Sequence, residues 1–162
     1  MNKLTKNQKI GGVVGIVVII VALAIGNSHN NSTTTQTTQT TVSQSALWQN
    51  WKITFDNTLS QTEADYTMTT SDLSNGNTAS TNADFAKLAQ DAVSLTANAT
   101  SPDPTVNAEI RTVAQDLQSV SSTGIQAIAA GQDTTAFNDA CTQFGTDSTT
   151  LANSIGADNN IY

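Results

Sequence analysis

Apolar residues follow two different patterns along this chain. From Ile10 to Gly26 they run almost without interruption, as "IGGVVGIVVIIVALAIG", and past Ser45 they recur every three or four positions. The second pattern is that of helices with one buried face. Trp48, Trp51, Phe55, Leu59, Thr62, Tyr66, Thr69 and Leu73 make the first such stripe, and "SNGN" (Ser74 to Asn77) reads as the turn that ends it. Phe85, Leu88, Ala92, Leu95 and Ala99 make the second, with Thr81 and Asp84 spaced like a capping box at its start. In "SPDP", Asp103 suits the N-cap of the next helix and Pro104 its first position, where a missing N–H costs nothing. The third stripe is Val106, Ile110, Val113, Leu117, Val120, Gly124 and Ile128, stopped by Gly131. Asp133 is a natural N-cap for the fourth, Phe137, Cys141, Phe144, Ser148, Leu151 and Ile155, which Gly156 would terminate.

Helices are therefore predicted over about 46–73, 81–99, 104–130 and 134–155, with a short tail at 158–162. Four amphipathic segments joined by short connections imply an antiparallel four-helix bundle over 46–157. The many threonines weaken the first segment, since Thr is a mediocre helix former, and a three-helix core with a loose first helix is the alternative. The fold class is all-α: an N-terminal transmembrane helix, a flexible stalk and the bundle.

The continuous stretch decides the address. Residues 1–9 carry Lys3, Lys6 and Lys9, and the uncharged run from Ile10 to Ile25 follows at once. Such an order is read by export machinery. As a membrane anchor the run would bury Ile10, Val13, Val14, Ile16, Val17, Val18, Ile19, Ile20, Val21, Leu23 and Ile25. It is short for a span, roughly 24 Å as a helix at about 1.5 Å per residue, against a core of about 30 Å. As a signal peptide it would be cut after "ALA" (Ala22 to Ala24). No polar region precedes that cleavage site, which favours retention; cleavage near Ala24, giving a secreted protein, is the alternative. The lysines before the segment place the N-terminus in the cytoplasm and the rest outside. Gly11 and Gly15 form a small-residue pair of the kind that lets membrane helices approach closely.

Residues 27–45 contain no Lys, Arg, Asp or Glu and are mostly Ser, Thr, Gln and Asn. A segment so polar cannot bury enough apolar surface to offset the entropy of ordering it, and it is expected to be a flexible stalk. From Asn27 onward the chain has three cations, Lys52, Lys87 and Arg111, against thirteen Asp and Glu. That balance excludes nucleic-acid binding by phosphate neutralisation, which needs a basic face.

Candidate chemistry is sparse. His29, the one histidine, lies in the stalk, so no Ser-His-Asp or Cys-His arrangement can form in the bundle, and there is no Glu-x-x-His metal pattern. Cys141 has no second cysteine and falls on an apolar stripe, where it reads as a small buried hydrophobe. Trp48 and Trp51 read either as an exposed interaction pair or as core, with Trp48 expected to be the more exposed at the bundle end. Glu63, Asp65, Asp56 and Asp72 read as a solvated acidic face, with weak Ca²⁺ binding the alternative. An enzyme working with carboxylates alone would have to use Asp56, Glu63 and Asp116.

In the order of its parts, and in "LWQNW", "SPDP" and "GQDTTAFNDACTQFGTDSTTLANSI", the chain resembles the small secreted or membrane-anchored helical proteins of Gram-positive bacteria. The resemblance implies no residue role. The expected function is a surface-tethered extracytoplasmic module with a non-enzymatic role, either structural or in binding a protein, an envelope polymer or a small ligand. No catalytic, metal or cofactor residue is assigned, and the membrane is the one partner assigned outright, through the N-terminal helix.

Overall fold

Ser43 starts the first described helix: its Oγ accepts the Ala46 N–H at 3.2 Å, satisfying a donor that the first turn would leave free. The structure is a computed structural model, and it describes residues 43–130 and 134–158. The expected membrane helix at 10–26, and with it every anchor residue from Ile10 to Ile25, lies outside the described residues. So do nearly all of the stalk, Gly131 and Asp133. No described helix is long and apolar enough to cross a membrane.

The described elements are α1 (Gln44–Asn75), α2 (Thr78–Ala97), α3 (Pro104–Ala130) and α4 (Thr135–Asp158). Consecutive helices pack side by side, giving the expected helical bundle, with α1 fully formed rather than loose. Helix α3 has the expected bounds, and the ends of the other helices differ by one to three residues. Helix α1 begins two residues early, inside the expected stalk, because the Ser43 cap lies there. Helix α2 begins at Thr78 rather than 81, so Thr81 and Asp84 are not a capping box: the Thr81 hydroxyl donates to the Asn77 carbonyl at 2.7 Å and both side chains are buried. Helix α4 runs through Gly156 to Asp158.

Other punctuation is as expected. Gly76 closes α1 at φ 74°, a left-handed conformation that glycine adopts without a Cβ penalty. Asp103 caps α3, its Oδ1 accepting the N–H of Thr105 at 2.6 Å and of Val106 at 3.4 Å.

The four stripes meet in one core. Trp48, Phe55, Phe85, Leu88, Leu95, Ile110, Leu117 and Ile155 are fully buried. Phe85 packs edge-on against Phe137, with ring centroids 5.7 Å apart, and over Gly124, where a Cβ would run into its ring. Neighbouring helices are also pinned by side chains. Ser121 Oγ donates to the Phe85 carbonyl at 2.7 Å between α3 and α2, and Ser154 Oγ to Glu109 Oε1 at 2.9 Å between α4 and α3. Across the remaining seam the backbones of α1 and α4 stay farther apart than consecutive helices do. Tyr66 stacks on Phe144 there at 5.3 Å, beside a small apolar slot lined by Phe55, Leu59, Leu151 and Ile155.

Candidate functional site

The tryptophans are not a surface pair. Trp48 is 0% exposed and Trp51 8%, the reverse of the expected order. Their rings lie 4.9 Å apart, and Trp51 stacks on Phe55 at the same distance. Trp51 reaches the end of α2, where its Nε1 donates to the Asn98 carbonyl at 2.9 Å. That bond lets an indole sit in the core without an orphaned donor.

Cys141 is buried as expected. Burial pushes its thiol above the ordinary value, partly offset by the neighbouring Tyr66 hydroxyl, so it has the character of a packed side chain and not of a nucleophile.

The acidic face is less solvated than the sequence suggests. Asp65, placed there by its position off the stripe, is buried at 7% exposure, as are Asp84 at 4%, Asp91 at 9% and Asp158 at 7%. Asp91 faces the Asp65 carboxyl across the α1–α2 seam. Asp116 on α3 and Asp147 on α4 make a second such pair, and Asp103 at the start of α3 and Asp158 at the end of α4 a third. The candidate acids Asp56, Glu63 and Asp116 are not gathered at one place. Asp56 and Glu63 are both on α1, and the charged neighbour of Asp56 is Lys52.

Within each pair the two members are unequal. Gln61 Nε2 donates to Asp65 Oδ2 at 2.9 Å, and Gln143 Nε2 to Asp147 Oδ2 at 2.7 Å. Asp103 holds the two backbone N–H groups of its cap. By contrast, Asp91 Oδ2, Asp116 Oδ2 and Asp158 Oδ2 are buried and receive no N–H or O–H from any other group. Burial first, then the facing carboxylate, raises all three, Asp91 and Asp116 to about 6. Sequence reasoning missed these pairs because their members lie far apart along the chain. The visible trace is the repeated Gln-x-x-x-Asp spacing at 61/65 and 143/147, which sets an amide beside a carboxylate on one helix face.

A fourth acid pair, Asp72 and Asp84, is balanced by a cation: Lys87 Nζ lies 3.7 Å from Asp84 Oδ1. Among the described residues no three Asp, Glu, His or Cys come together as a metal site would require. What the pairs can do is hold a proton between two helices. No protein-family model matches the chain, and neither does any curated protein or solved structure.

Proposed function

We propose that this chain is a membrane-tethered extracytoplasmic module whose helical bundle has a structural or binding role rather than a catalytic one. The observation that carries the reading is the uncharged run from Ile10 to Ile25 directly after Lys3, Lys6 and Lys9, followed by an uncharged polar segment and then an acidic domain. Lysines on one side only orient such a segment with its N-terminus inside. What supports a non-catalytic role is that the carboxyl pairs are spread over two helix seams, α1–α2 and α3–α4, and do not converge on a cleft. The partner class that suits the reading is an extracytoplasmic protein or an envelope polymer.

Cell fractionation with N-terminal sequencing tests it. The expected result is that the chain stays with the membrane and keeps residues 1–26. A soluble form beginning at Ile25 would replace the tethered reading with a secreted one.

A further inference from the structure

We propose that Asp65–Asp91, Asp116–Asp147 and Asp103–Asp158 are proton-sharing clasps, so that the bundle is held together in an acidic medium and loosens as the medium approaches neutrality. The argument begins with donors and acceptors. A carboxylate only accepts hydrogen bonds, so two carboxylates in contact repel, whereas a carboxylic acid beside a carboxylate donates a short, charge-assisted bond. Each clasp has one member already supplied with donors: Asp65 by Gln61, Asp147 by Gln143, and Asp103 by the first turn of α3. The facing member has no such donor and a buried oxygen, so it is the one that carries the proton.

Among the described residues nothing else at these seams takes the proton's place. The charged groups facing Asp91 are Asp65 from α1 and Lys87 from its own helix, and Lys87 lies against Asp84. Asp116 faces Asp147 from α4, and Asp158 faces Asp103 from the start of α3. Asp158 is also the last residue of α4, where the helix dipole opposes a negative charge. From Asn27 onward thirteen acids have only three cations to balance them, so lost protons add to a general repulsion. The clasps join α1 to α2 and α3 to α4, and the device belongs to the bundle whether or not the chain is tethered.

The sign follows from the raised carboxyls. A group that is harder to ionise in the folded state adds stability that is complete below its unfolded value, near 4, and is lost as pH rises through the folded one. For Asp91 and Asp116 the loss falls between about pH 4 and about pH 6.

The test is thermal unfolding of the full chain in mild detergent, followed by circular dichroism at about pH 4.5 and about pH 7.5. Tm is expected to fall by several degrees at the higher pH. In the double variant Asp91→Asn, Asp116→Asn the amide N–H donates to Asp65 and Asp147 without a titrating proton, and most of that fall should disappear. A Tm that is flat or rising over this interval, or a double variant that falls as steeply as the wild type, would overturn the proposal. Carboxyl ¹³C titration of the wild-type chain decides independently of whether the variant folds. Midpoints for Asp91 and Asp116 near 6 are expected, and midpoints in the ordinary aspartate range near 4 would contradict it.

Discussion

Gly124 is where one hydrogen atom decides the packing of two helices. With the Phe85 ring lying on its Cα, a methyl group has nowhere to go, and Gly124→Ala should destabilise the bundle by about 1–3 kcal/mol despite alanine's better helix propensity. A lowered Tm checks this, and an unchanged or raised Tm would mean the ring does not sit there. Ser121 pins the same seam through its bond to the Phe85 carbonyl. Ser121→Ala should cost about 1 kcal/mol in denaturant unfolding, with an unchanged m-value. At this scale the sequence was legible wherever identity alone fixes the environment: Phe55, Leu88, Leu117 and Ile155 are buried as their spacing predicts. It was not legible where a polar side chain is rescued by a partner far along the chain. Trp51 depends on Asn98, and Asp91 faces Asp65, and no local pattern contains either partner.

At the scale of the helix, the stops and starts written in one or two residues were readable. Asp103-Pro104 opens α3 and Gly76 closes α1 as their chemistry dictates. Removing the cap oxygen in Asp103→Ala should lower stability by about 1 kcal/mol, more if the bond to Asp158 is lost with it, and a smaller drop in Tm for Asp103→Asn than for Asp103→Ala would identify the cap as the main part. The early starts of α1 and α2 share a cause, which is that hydroxyl side chains serve both as caps and as helix interior. Ser43 caps, while Thr62, Thr69 and Thr81 turn their hydroxyls back to carbonyls one turn earlier. Back-bonding satisfies the buried hydroxyls of Thr62 and Thr69 inside α1, a threonine-rich helix of 32 residues. Thr62 is 1% exposed and borders the apolar slot between α1 and α4. Thr62→Val, which replaces the hydroxyl there with a methyl, should therefore leave Tm unchanged or raise it. A marked drop would show that the back-bond outweighs the gain in apolar contact.

For the whole molecule, the order of helices followed from four stripes and three short links, since short links force antiparallel neighbours. The seam between α1 and α4 did not follow, because no link joins those helices and only side chains such as Tyr66 and Phe144 set their separation. The candidate site was legible only as an excess of acids; their pairing across seams depends on the assembled bundle. In our reading residues 10–26 hold the bundle outside the membrane, a division that mild proteolysis of intact cells addresses most directly. Protease added from outside should cut within residues 27–42 and release a helical fragment containing residues 43–158, without lysis. A chain that survives intact until the membrane is broken would contradict the placement of the bundle outside the cell.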